Sequence, residues 1–167
     1  SSFLANRNVV INGDMQIAQR GTSATGITGS GYQTCDRWHE TTGSSAGTFT
    51  YTQETLTSGN AYADGFQKAY RVDCTTAVAS PGAAVEKYVR QKFEGYNVQQ
   101  FKKGTANALP YVVSFWVKSN QTGTGVVLLR DRDNSRHIGA TYTIVAADTW
   151  GKKTVNFVAD TTGVMTN

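Results

Sequence analysis

The most continuous apolar pattern in the chain runs from Leu109 to Ser119 (LPYVVSFWVKS), with Pro110 just before the run Tyr111 to Ser119 and Asn120 to Gly123 after it. Under period-two alternation Tyr111, Val113, Phe115 and Val117 share one face. Val112, Ser114, Trp116 and Lys118 share the other, which is also mostly apolar. A strand that is apolar on both faces needs a layer above and below it. The pattern therefore predicts a central strand in a two-sheet core, with Phe115 and Trp116 enclosed.

The rest of the chain reads mainly as strands. Val9 to Gln19 places Val9, Ile11, Met15 and Ile17 on one face, interrupted at Gly13-Asp14 as by a bulge, and predicts a first strand. Gly21 to Gly31 has the composition of a loop. Asp36 to Thr42, carrying Trp38, is a short strand. Thr48 to Glu54 sets threonines against Phe49 and Tyr51, as in a strand with one wet face. After a turn over Asn60 to Gly65, Ala69 to Thr75 places Tyr70, Val72 and Cys74 together. Ser80 to Phe93 supports two readings. Ser80-Pro81 resembles a helix start followed by a stripe of Val85, Tyr88, Val89 and Phe93, whereas Tyr88 to Glu94 also alternates as a strand. Gly95 to Lys103 has room for one helical turn with Val98 and Phe101 on one side. Val126 to Arg132 and His137 to Val145 flank a polar turn and predict a hairpin, and Lys153 to Val158 forms the last strand. About nine strands and at most one short helix make the expected class all-β, a jelly-roll β-sandwich. No repeat or change of composition divides it, so one domain over 9–167 is expected, preceded by an arm over 1–8.

Composition narrows the function. The 167 residues are 39% hydrophobic but only 17% charged, with abundant Thr, Ser, Asn, Gln and Gly, as in all-β surface proteins. The net charge of +4 is dispersed, and Lys102-Lys103 and Lys152-Lys153 are the basic doublets. Nucleic-acid binding calls for a basic stripe interleaved with aromatics, and the sequence has none. No apolar run approaches the roughly 18 residues that cross a membrane. The opening SSFLANRN lacks the features of a signal peptide. Cys35 and Cys74, with no CxxC pattern, are read as two buried, reduced thiols.

Candidate chemistry is sparse. Gly43-Ser44-Ser45-Ala46-Gly47 has the letters of a nucleophile elbow, but it lies between two predicted strands and not before a helix. His39 and His137 each stand without a second ligand at metal-binding spacing. Asp131-x-Asp133-x-Ser135 begins like a calcium loop but lacks its glycine and has Tyr142 where the last ligand belongs. It reads as a solvated hairpin turn. The carboxylates suggest no glycosidase pair, so no catalytic residue is assigned. Trp38, Tyr51, Tyr62 and Tyr96 are candidates for stacking on sugar rings, although aromatics of this kind more often belong to the core.

Several segments together resemble a family of tailed-phage virion proteins. Asn8 to Thr22 (NVVINGDMQIAQRGT) is similar to that family's N-L-I-I-N-G-D-F-Q-I-W-Q-R-G-T. Tyr32 with Asp36-Arg37-Trp38 is similar to its Y-x-x-D-R-W, Gln91 to Gly95 to its Q-K-I-E-G, and Ser114 to Ser119 to its S-F-W-V-K-S. The resemblance implies a jelly roll like that of carbohydrate-binding modules, carried on tail fibres, other appendages or capsid decorations. It favours the strand reading of Tyr88 to Glu94 and places the closing strands after Asn167. Related sugar-binding jelly rolls hold a structural calcium near this N-terminal motif. Asn12 and Asp14 match it, but Gln16 replaces an acidic ligand.

The expected function is therefore a non-enzymatic structural protein of the virion surface, made in the host cytoplasm and joined to other virion proteins. A homotrimer is the expected assembly, with Phe3 and Leu4 on the arm contacting a neighbouring subunit. Contact with host-surface polysaccharide is compatible with that role. The alternative is a carbohydrate-binding module, free or attached to a polysaccharide-degrading enzyme.

Overall fold

The structure, a computed structural model, describes residues 8–164. Phe3, Leu4 and the rest of the predicted arm before Asn8 lie outside the described residues. The described chain is all-β, with nine strands in antiparallel sheets and helix confined to single turns. It divides into two compact units, one formed by 10–58 with 62–92, the other mainly by 93–167 with 59–61.

The first unit holds β1 (Ser23–Ile27), β2 (His39–Thr42), β3 (Thr48–Thr55), β4 (Lys68–Thr76) and β5 (Lys87–Arg90). One sheet has the order β1-β3-β4, and β2 pairs with β5 in another. The predicted alternation of β3 is realised: Phe49 and Tyr51 are buried, and their stacked rings lie 6.3 Å apart. The hydroxyl of Tyr51 meets Thr42 Oγ1 at 3.1 Å and accepts from Lys87 Nζ at 2.7 Å. Those contacts lay the first sheet's Tyr51 against the β2–β5 pair. α1 (Asn60–Ala63) lies where the chain passes from one unit to the other.

Two expectations fail here. Val9 to Gln19 is not a strand; Ile11 to Asp14 form a turn, and Asn12 and Met15 have φ of 54° and 58°. Extended backbone excludes such values. The first strand is instead β1, inside the stretch read as a loop. It is mostly exposed, so its residues carry no apolar alternation to reveal it, and its backbone pairs with β3. The two readings of Ser80 to Phe93 resolve toward strand over Lys87–Arg90, with no helix before it.

The second unit holds α2 (Gly95–Val98), a 3-10 turn over Gln99–Phe101, β6 (Tyr111–Val117), β7 (Gly123–Asp131), β8 (Arg136–Ile144) and β9 (Gly151–Phe157). β6 pairs with β9 and β7 with β8, each antiparallel. The predicted hairpin is present, with Asp131 opposite Arg136 at its turn. Val98, Val155 and Phe157 are buried, and Phe101 packs its ring 4.7 Å from that of Tyr111.

β6 corrects the opening expectation. It pairs only with β9, and its second face is largely open: Val112 is 63% exposed, and Ser114 is also exposed. Tyr111, Val113, Phe115 and Val117 form the inward face, as alternation predicts. Trp116 sits half-buried on the outward face. Apolar residues on both faces do not by themselves make a strand central when one face bears lysine and serine among them.

Candidate functional site

Three of the four segments that carry the resemblance contribute to the first unit, while Ser114 to Ser119 lies in the second. Because the turn over Ile11 to Asp14 has no strand partner, its backbone groups need side chains to satisfy them. Gln91 supplies two such bonds to Ile11: its Oε1 accepts from the amide and its Nε2 donates to the carbonyl, both at 2.8 Å. Asn12 closes the turn on itself, its Oδ1 accepting from Ile17 N at 2.9 Å. Its Nδ2 donates to Ile17 O at 2.9 Å and to Asp36 O at 3.0 Å. Trp38 Nε1 donates to Asn12 O at 2.9 Å. Gln53, from β3, donates to Met15 O at 2.6 Å and to Gln16 O at 3.0 Å. Asp36 accepts at Oδ1 from Gln19 N at 3.2 Å, with Arg20 alongside at 3.4 Å. The result is a knot in which polar side chains replace the missing ladder of a strand.

This geometry does not fit a calcium of the kind that related sugar-binding jelly rolls hold near Asn12 and Asp14. The Asn12 amide nitrogen stands between the two carbonyls that a cation there would use, and its oxygen is bonded to Ile17 N. Asp14 is exposed, and Gln16 brings no charge. Among the described residues no group of three or more His, Cys, Asp or Glu is placed to hold a metal ion.

Behind β3 lies a second polar cluster that the sequence reading did not find. Glu40, on β2, has a fully buried side chain whose Oε2 accepts from Lys87 Nζ at 2.7 Å. The Lys87 ammonium also lies 4.6 Å from the Phe49 ring centre and 4.7 Å from that of Tyr51. Burial pushes the Glu40 carboxyl above the ordinary range, against the pull of Lys87. Tyr70 sits nearby on β4, its hydroxyl pushed up by burial and by the Glu40 charge. Tyr70 OH, Glu40 Oε1 and Thr34 Oγ1 are enclosed without a well-formed hydrogen bond. No solvent reaches Glu40, so no substrate does; the cluster ties β2, β3 and β5 together.

In the second unit the hairpin turn exposes Arg132, Asp133 and Ser135, as a solvated turn does, but the Asp131 that opens it is not solvated. Asp131 and Lys103 have side chains only 6% and 7% exposed and are joined by an ion pair of 2.6 Å. Lys103 also faces Asp160 at 3.4 Å, which in turn pairs with Arg136 at 2.9 Å. Arg136 and the Thr162 amide hold the Asp160 carboxyl down at about 2. Asp131 caps its own turn, its Oδ1 accepting from Asp133 N and Asn134 N. The spacing resembled a calcium loop because aspartates that cap turns and those that bind cations both occupy such bends.

The four predicted stacking residues do not converge. Tyr51 has no exposed surface, so its ring has no face to offer a sugar; it is a core residue. Trp38 is half-buried and engaged in the knot. Tyr62 is 45% exposed on α1, and Tyr96 is 71% exposed on α2 in the other unit. A cleft of about 450 Å³ beside α2 is lined by Gly95, Val98, Gln99 and Lys102 among others, without Tyr96. Gly43 to Gly47 forms the turn from β2 to β3, closed by Ala46 N donating to Gly43 O at 3.2 Å, and no helix follows it. Both cysteines are free thiols; Cys35 is buried as expected, whereas Cys74, opposite Phe49 near the end of β4, is exposed. No helix among the described residues is long and apolar enough to cross a membrane.

Comparison of the chain with protein-family models, with curated proteins and with solved structures found no match.

Proposed function

We propose that this chain is a structural module of a tailed-phage virion surface, part of a tail fibre, another appendage or a capsid decoration. It is made in the host cytoplasm and acts by assembling with other virion proteins. One observation carries this reading. Asn12, Asp36, Trp38 and Gln91, which belong to the segments resembling the virion family, meet in one knot and bond to backbone. Residues shared for catalysis would keep a polar atom free for a ligand. These are spent on holding an irregular turn, as a module that works through its shape requires. The arm with Phe3 and Leu4 contacts a neighbouring subunit of a homotrimer under the same proposal.

Quantitative mass spectrometry of purified particles from the phage that encodes the chain tests this. A fixed copy number per particle, in a multiple of three, supports the proposal. Recovery of the chain only in the free, particle-depleted fraction overturns it.

A further inference from the structure

The β2–β5 pair sorts its charges by face. Its antiparallel register sets His39 opposite Arg90, Glu40 opposite Val89, Thr41 opposite Tyr88 and Thr42 opposite Lys87, and opposed residues share a face. One face holds the buried pair of Glu40 and Lys87. The other carries His39, Thr41, Tyr88 and Arg90, and Lys92, two positions past Arg90, keeps its parity. None of these positions is acidic. Gly31, bridged to Glu40 along the far edge of β2, brings Tyr32 beside His39, their rings edge to face at 5.0 Å.

Arg90 and Lys92 stand beside His39 with no counter-charge. Burial first, then the fields of both cations, hold the His39 imidazole below its ordinary pKa. Among the described residues neither Arg90 nor Lys92 is paired with a carboxylate. Arg90 is half-buried, with Nε enclosed and unbonded, and its guanidinium lies 5.8 Å from the Tyr88 ring centre. Asp36 offers no relief, since it already faces Arg20 at 3.4 Å and accepts from Gln19 N. Cations set side by side at a partly buried surface cost folding energy that an arriving anion recovers.

We infer that this face docks an extended acidic segment of a protein partner, with alternate Asp or Glu side chains paired to Arg90 and Lys92. An extended chain presents every second side chain on one side, roughly 6.5 Å apart, which suits two cations two positions apart. The Arg90 guanidinium offers a carboxylate a fork of donors, and the Lys92 ammonium offers a point charge. Tyr32 and Tyr88, 42% and 37% exposed, give ring surface to the aliphatic stems of such side chains. A single-stranded nucleic acid needs open rings on which its bases stack. Here the guanidinium of Arg20 lies 5.4 Å from the Tyr32 ring centre, as that of Arg90 lies over Tyr88, so those rings are already engaged. The inference names the chemistry of a partner and does not depend on the particle that carries the chain. Absence of the chain from phage particles would leave it standing.

The test titrates the full chain at low salt with a fluorescein-labelled decapeptide of alternating Glu and Ser, followed by anisotropy and by NMR of the two histidine rings. A decapeptide of alternating Gln and Ser is the neutral control, and labelled hexathymidylate is the nucleic-acid control. The Glu–Ser peptide should bind at least tenfold more tightly than either, with affinity falling as salt rises. The ring signals of His39 should shift on binding, whereas those of His137, in the other unit, should not. The double variant Arg90→Gln, Lys92→Gln should lower affinity at least tenfold. Lys92→Gln alone, altered at an exposed side chain beyond the end of β5, should lower it at least threefold. The double variant Arg130→Gln, Arg132→Gln removes the same charge from exposed positions of the second unit and should leave affinity unchanged. Absence of binding by the Glu–Ser peptide overturns the inference. So does equal or tighter binding of either control, a His39 signal that does not move, or equal losses from the two double variants.

Discussion

Replacing Lys87 by Met removes the one cation bonded to a carboxylate that no water reaches. The Lys87 ammonium spans Glu40 Oε2 and Tyr51 OH, each at 2.7 Å, while the Glu40 side chain is fully buried. Breaking a buried pair from one side costs about 3–5 kcal/mol, because the remaining charge is stranded. The Lys87 side chain is 27% exposed, so part of the attraction is already screened. An expected loss of about 2–4 kcal/mol at pH 8 follows. The loss should depend on pH in a definite direction. The Glu40 carboxyl is already raised in the folded protein, and without Lys87 it rises further. A group with a raised folded pKa favours folding most when protonated, below its unfolded value, and that advantage disappears as pH rises through the folded value. The difference between variant and wild type should therefore shrink as pH is lowered from 8 toward 5. Urea unfolding across that range measures it. A second substitution, Glu40→Leu, in the Lys87→Met background should recover most of the loss, since neither charge is then buried. A penalty that is below 1 kcal/mol, or constant with pH, would refute the claim that Glu40 is charged and dependent on Lys87.

Gln91→Ala deletes both bonds to Ile11 and should lower stability by about 1–2 kcal/mol, read as a shift in urea midpoint at constant m-value. Arg136→Gln should destabilise the second unit by an amount that is constant above about pH 4. That difference should vanish as pH falls toward 2, because the stabilisation from a depressed carboxyl is lost on protonation through its folded value. Unfolding curves at several acid pH values check the sign. Alkylation of the native protein should label Cys74 within minutes and Cys35 only after denaturation, which mass spectrometry of the peptides distinguishes.

Strands whose alternation coincides with burial could be read directly from the residues. Phe49 and Tyr51 in β3, the Asp131–Arg136 hairpin and the helical turn under Val98 all sit where periodicity puts them. Failures came where backbone bonding, invisible to periodicity, decided the conformation. The Val9 to Gln19 pattern alternates well, yet Asn12, Gln53 and Gln91 satisfy its backbone as a turn. β1 shows no such pattern because it exposes most of its side chains and is held by β3 alone. The polar clusters were hidden for a related reason. Glu40 and Lys87 are 47 positions apart, and Lys103 lies far in sequence from Asp131 and Asp160. Trp116 was read as enclosed because both faces of its segment are mostly apolar, and only the register that sets Lys152 opposite it marks that face as the outward one.

The bonds from Gln91 to Ile11 close a loop of 80 residues, and they impose an order on synthesis. A ribosome adding about 5–20 residues per second leaves the first turn without its anchor for several seconds after it emerges. Through that interval the backbone of Ile11 is open to water and to any partner that offers a strand edge. The β7–β8 hairpin, by contrast, has its partners adjacent and can form within microseconds of leaving the exit tunnel. The last strand of the first unit, β5, precedes Gln91 by a single residue. That unit therefore gains its final sheet pairing and its turn anchor almost together. A nascent chain from which residue 87 has not yet left the exit tunnel would carry an unlatched turn over Ile11 to Asp14 that chaperones and proteases can recognise, and one from which residue 91 has emerged would not.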